Sequence, residues 1–197
     1  GMANNNQGLQ YGDMTSPGAP PVVIPYASTV VDWVLVTVRK DGITPGDNLW
    51  TCAGWVHIDG TVTFPDPCPG LSFVPSSTYY VLVQHRNHLG VLSPSPATMS
   101  CGNMIINWDF TTSNSYQPLF RYGQKQMATG IWAMHSSNGD QVTSIAAISS
   151  PDRNVWRNLQ NALGYTLGDY NMDAFTNTSD ENAWKLNQNR TSGILFY

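Results

Sequence analysis

Val30-Val31-Asp32-Trp33-Val34-Leu35-Val36-Thr37-Val38-Arg39 is the stretch on which the fold turns. It is rich in β-branched residues and nearly continuous in apolar side chains, and Lys40-Asp41-Gly42 ends it with a turn signal. Further strand-like segments follow at short spacing. Leu49 to Ile58 stops at Asp59-Gly60, Thr61 to Phe64 alternates up to Pro65, and Tyr79 to Arg86 is again strongly β-branched and aromatic. Asn103 to Phe110 is another candidate. Short strands punctuated by turns predict an immunoglobulin-like β-sandwich over 29–122, with Trp33, Trp50, Trp55 and Trp108 filling it.

Outward from this core the composition agrees. Charged residues make up 11% of 197, the net charge is -4, and twelve acids are Asp against a single Glu, Glu181. So acidic a chain lacks the basic surface that nucleic acid requires. No apolar run reaches the roughly 18–20 residues of a spanning helix. Asn4 to Pro21 is polar with Gly and Pro, and residues 1–28 read as a linker or disordered N-terminus. Gly1-Met2 reads as a cloning remnant, so a processed or C-terminal piece of a longer chain is expected. Cys52, Cys68 and Cys101 form no CxxC, which disfavours a zinc knuckle. A disulfide between two of them and three buried thiols both remain open.

After Tyr122 the pattern changes, predicting a small all-α unit over 123–197 and an α+β chain as a whole. Gln124 to His135 reads as helical. Asp152 to Asn161 and Asp180 to Asn189 read as two helices, each opened by an acid that suits the macrodipole. They repeat at a shift of 28, with Asp152/Asp180, Asn154/Asn182, Trp156/Trp184, Gln160/Gln188 and Asn161/Asn189 identical. Five identities in ten positions mark a duplicated motif.

The segment before the second helix carries the chemistry. From Asp169 to Asp180, oxygen-bearing side chains stand at positions 1, 3, 5, 9 and 12: Asp169, Asn171, Asp173, Asn177 and Asp180. Calcium takes about six to eight hard oxygen ligands from such a loop. Phe175 at position 7 would offer its backbone carbonyl. Position 6 ordinarily holds Gly and is Ala174 here; a left-handed Ala costs on the order of 1 kcal/mol. A second, weaker loop is expected from Ser136, Asn138 and Asp140 with Asp152, lengthened by about five residues around Ile145 to Ser149.

The duplicated loop and helix resemble the dockerin type I module, from about Trp132 to Asn189. The upstream half, with Val31 to Val36 and His85 to Val91, is similar to strand-rich modules that precede such repeats at the C-termini of large bacterial extracellular proteins. The resemblance implies calcium as cofactor, an extracellular or cell-surface location, and recognition of a protein partner, in that family a cohesin, through loop positions 10 and 11, here Thr178 and Ser179. The helix pair docking on its own β-sandwich is the other expectation.

No nucleophile elbow, zincin motif or phosphate loop occurs, so a noncatalytic chain is expected. His85 and His88 at a strand end read as structural hydrogen-bonding groups. Trp50, Trp55, Tyr79 and Tyr80 could form a platform for polysaccharide, since aromatic faces stack on sugars; filling the sandwich is the simpler role.

Overall fold

The computed structural model describes residues 29–64, 73–74, 76–100, 105–120, 123–141 and 146–195. The linker 1–28, Cys68 and Cys101 lie outside them. The chain is α+β. A five-stranded antiparallel sheet is formed by β1 (Val30–Lys40), β2 (Asn48–His57), β3 (Val62–Thr63), β4 (Tyr79–His85) and β5 (His88–Leu92), in the order β3-β2-β1-β4-β5. Two antiparallel ribbons follow, β6 (Thr98–Ser100) with β7 (Ile105–Asn107) and β8 (Gln124–Ala128) with β9 (Ile131–Met134). Two helices, α1 (Ser150–Asn158) and α2 (Thr178–Asn187), complete it.

β1 is the central strand and is covered on both faces, which explains its nearly continuous apolar run: Trp33 to Arg39 are all buried, Thr37 and Arg39 among them. Successive residues point to opposite faces. On one face Val34 and Val36 pack with Val81 and Ala97, and with half-buried Trp50, Trp108 and Phe110. On the other, Trp33, Leu35 and Ala53 meet Trp55, and beside them Leu82, Leu89 and Leu92 pack against Ala146, Ile148, Trp156, Tyr170, Trp184 and Ile194. Sheet and helix pair therefore share one hydrophobic cluster. Each fully buried Leu or Ile in it contributes about 1.5–3 kcal/mol.

One sequence expectation is overturned. Residues 124–134 are a β-hairpin, not a helix. Ala128 pairs with Ile131 across Thr129-Gly130, and Gly130 adopts φ 77, the left-handed conformation a tight hairpin turn needs. The hairpin is held to the sheet's β5 edge, where the Leu89 amide donates to the His135 carbonyl at 2.8 Å and His88 bridges Ser136. The 123–197 region is thus not all helical.

Both helices start two residues earlier than the acids suggested. Ser149 and Asn177 are the N-caps, and Asp152 and Asp180 sit at N3, where their carboxylates accept the cap amides at 2.6 and 2.8 Å. Pro151, in the first turn of α1, is compatible with this start.

Buried Arg39 ties down the end of the described chain. Its guanidinium donates to Asn48 Oδ1, to the Ile43 carbonyl and, at 2.6 Å, to the Leu195 carbonyl. Cys52, on β2 and buried, is disulfide-bonded.

Candidate functional site

The two loop–helix units are related by a near two-fold axis, and backbone hydrogen bonds show it. The residue before each cap pairs with the exit of the other helix. Ile148 N–H donates to the Arg190 carbonyl and Asn189 N–H to the Ile148 carbonyl, both at 2.8 Å. Thr176 and Ala162 repeat the first bond at 3.0 Å, Asn161 and Thr176 the second at 2.8 Å. Bridges Ala147–Thr191 and Leu163–Phe175 obey the same shift. Each indole crosses the axis: Trp156 Nε1 donates to the Asn177 carbonyl at 2.6 Å, Trp184 Nε1 to the Ser149 carbonyl at 2.9 Å. Asn161 and Asn189, both with positive φ (68 and 66), end the helices in the left-handed conformation, which accounts for that identity. Arg153 and Glu181, equivalent positions, form an ion pair across the axis.

The register also corrects the expected insert. Ala146–Ser149 are the counterparts of Ala174–Asn177, so the first loop's extra residues fall between Asp140 and Ala146. Asp140 N–H donates to Asp152 Oδ1 at 3.1 Å as Asn171 N–H donates to Asp180 Oδ1 at 3.0 Å. In hydrogen-bond terms Asp140 takes the place of Asn171, which puts Asn138, two residues earlier, at the sequence position of Asp169.

The second loop turns its carboxylates onto its own amides. Asp169 accepts from Asp173 N–H at 3.1 Å and Ala174 N–H at 2.9 Å; Asp173 accepts from Phe175 N–H at 3.0 Å. Asn171 Oδ1 accepts from Asp173 N–H, while its Nδ2 donates to Asp173 Oδ2 at 2.9 Å. Asn177 Nδ2 donates to the Phe175 carbonyl, and its Oδ1 accepts from Ser179 N–H. Met172 and Ala174 are both left-handed, with φ 64 and 67, as the close turn at position 6 demands. Ala174→Gly is expected to raise the melting temperature, by up to about 1 kcal/mol of stability, because Gly adopts that φ without strain. Thr178 and Ser179 are exposed at the start of α2, as Ser150 and Pro151 are at the start of α1.

Three carboxylates here, Asp152, Asp169 and Asp180, are fully buried, and among the described residues none pairs with Lys, Arg or His. Burial pushes the Asp152 carboxyl up to about 7, with Asp140 beside it adding to the rise. Burial likewise raises Asp169 to about 6, with Asp180 and Asp173 adding to it. Among the described residues no three His, Cys, Asp or Glu side chains gather as a ready-made metal cluster. The donor set nevertheless fits a hard cation in kind: it is all oxygen, Asp152, Asp169 and Asp180 lack cations among the described residues, and Asn138 Oδ1, in a side chain 1% exposed, is a buried acceptor with no donor among them. Ser136 turns elsewhere, its hydroxyl accepting from Asn187 Nδ2 at 3.1 Å.

The two loops touch. A Cβ on Gly139 would lie 2.6 Å from Tyr170 Oη and 3.0 Å from the Leu167 carbonyl. Tyr170, 1% exposed, donates to the Asp152 carbonyl at 2.6 Å and so cannot swing away. Gly139→Ala is therefore expected to cost about 1–3 kcal/mol, read by denaturant unfolding.

The sheet reaches both loops through the β4–β5 turn, His85-Arg86-Asn87-His88. His85 and His88 face each other Nδ1 to Nδ1 at 2.8 Å, and His85 Nε2 meets Asp32 Oδ2 at 3.0 Å. Burial holds both imidazoles well below the ordinary range, His88 at about 3. They are hydrogen-bonding groups.

The aromatic candidates do not form one platform. Trp50 and Tyr79 lie on one sheet face, Trp55 and Tyr80 on the other. Tyr79 is 3% exposed with its hydroxyl at the Val74 amide, Trp50 packs edge-on to Phe64, Trp55 joins the Trp33 cluster, and Tyr80 packs on the helix-pair core. Their faces are occupied by packing.

Among the described residues, no helix is long and apolar enough to cross a membrane. Compared with family models, curated proteins and solved structures, the chain matches none.

Proposed function

We propose that the chain is a noncatalytic extracellular module: an immunoglobulin-like β-sandwich followed by a dockerin-like pair of calcium loops and helices, serving attachment or protein interaction. The observation that carries this reading is the two-fold pair of loop–helix units whose N3 acids, Asp152 and Asp180, are buried without a basic partner. Calcium bound there would neutralise the buried acids. Asp169, Asn171, Asp173, Asn177, Asp180 and the Phe175 carbonyl would hold it in one loop; Asn138, Asp140 and Asp152, with Ser136 in reserve, in the other. The shared core makes the helix pair's own sheet its first partner and leaves Thr178 and Ser179 exposed for a second. The Cys52 disulfide supports an oxidising, extracellular setting.

Calcium binding to the native loop and not to the unfolded chain raises stability as RT ln(1 + [L]/Kd), about 2.7 kcal/mol at a hundredfold excess over Kd. For a chain of this size that is a rise of roughly 5–10 °C in melting temperature. Differential scanning calorimetry with calcium and with chelator measures it. Identical curves would remove calcium from the reading.

A further inference from the structure

Asn87, in the β4–β5 turn, bonds both loops, the second through its side chain and the first through its backbone carbonyl. It is fully buried at the tip of the β4–β5 turn. Its Nδ2 donates at 2.6 Å to the carbonyl of Asp169, the first residue of the second loop. Its own carbonyl accepts the amides of Ser137 at 2.8 Å and Asn138 at 3.0 Å, in the first loop. Its Oδ1 is fixed by His88 Nδ1 at 2.8 Å, and that ring nitrogen is the one facing His85. The flanking residues repeat the division of labour. Arg86 reaches the second loop at Met172 and lies over Tyr165, while Gln141 of the first loop donates to the His85 carbonyl. A small shift of the Asp169 backbone is therefore passed to the Ser137 and Asn138 amides through one rigid residue.

We propose that Asn87 is a positioning residue that couples the two loops: calcium taken up by the Asp169–Asp180 loop orders the 136–141 segment through it. The inference rests on the calcium reading and adds regulation of that same site. Groups that orient ligating residues from outside the ligand shell set metal affinity by about 10–100-fold. Coupling between two sites is reciprocal, so loss of the link weakens both.

The test is calorimetric titration of calcium into the wild-type chain and Asn87→Ala, with amide exchange at Ser137 and Asn138 followed by NMR in Asp140→Asn, where the first loop's own site is impaired. Asn87→Ala is expected to bind calcium about tenfold more weakly. In Asp140→Asn, calcium is expected to slow exchange at the two amides, and in Asp140→Asn/Asn87→Ala to leave it unchanged. Wild-type affinity in Asn87→Ala, or amides indifferent to calcium in Asp140→Asn, overturns the coupling while the calcium reading stands. A wild-type chain that takes up no calcium overturns both. Should Asn87→Ala fail to fold, exchange in Asp140→Asn decides alone. A merely structural Asn87 would lower stability equally with and without calcium and leave the affinity unchanged.

Discussion

Arg86→Ala is expected to destabilise the protein by about 3–5 kcal/mol, because it strands a buried carboxylate. Arg86 and Asp32 are 3% and 8% exposed, and one guanidinium nitrogen bridges both carboxylate oxygens at 2.6 and 2.8 Å. Burial raises the Asp32 carboxyl, and Arg86 beside it is the largest opposing influence. Without Arg86 to oppose it, burial holds the proton on Asp32 to a higher pH than in the wild-type protein. The folded variant therefore binds more protons than the folded wild type while the two unfolded chains titrate alike, so its deficit grows as pH rises. The deficit relative to wild type is therefore larger at pH ~7 than at pH ~5, read from urea midpoints at each pH. Asp32→Leu/Arg86→Met removes both charges and should recover most of the loss. A single variant within about 0.5 kcal/mol of wild type would show that Asp32 is solvated and the joint loose.

The joint was only partly legible in the sequence. His85 and His88 form the hydrogen bonds expected of them, to each other, to Asp32 and to Asn87. That Arg86 would find Asp32 on β1, 54 residues away, depends on the β1–β4 register, which no local signal carries. β1 itself was the plainest element, because a strand buried on both faces needs no alternation. The 124–134 hairpin was missed for the opposite reason. Its outward positions alternate weakly, with Gln126, Met127 and Ala128 all exposed, and only Thr129-Gly130 marks the turn. The helix starts were displaced because an acid at N3 completes a capping box and does not open the helix; Ser149-x-x-Asp152 and Asn177-x-x-Asp180 are the signals that place them. The repeat was visible through its Asp, Trp and Asn identities. Its meaning, each helix closing on the other's cap, required the pairing of Ile148 and Thr176 with the opposite exits.

That reciprocity makes the two indoles the most consequential apolar side chains of the C-terminal half. Trp156→Ala and Trp184→Ala are each expected to cost about 3–5 kcal/mol, a large share of the roughly 5–15 kcal/mol that holds a domain together. Both are nearly buried, at 6% and 8%, and both donate to the cap carbonyl of the opposite helix, so truncation opens a cavity and orphans an acceptor at once. Trp184 should lose slightly more, because the Arg153 guanidinium lies over its ring at 5.4 Å, a contact worth about 0.5–1 kcal/mol. Trp156→Phe and Trp184→Phe keep most of the volume and remove the hydrogen bond, for about 1 kcal/mol each. Because each ring supports the cap on which the other helix depends, the Ala pair cannot act independently. The double variant should depart from the sum of the singles by about 0.5–3 kcal/mol, with the second truncation costing less than the first. Strict additivity in denaturant unfolding would mean that the two units fold separately, and the two-fold core would then be packing without cooperation.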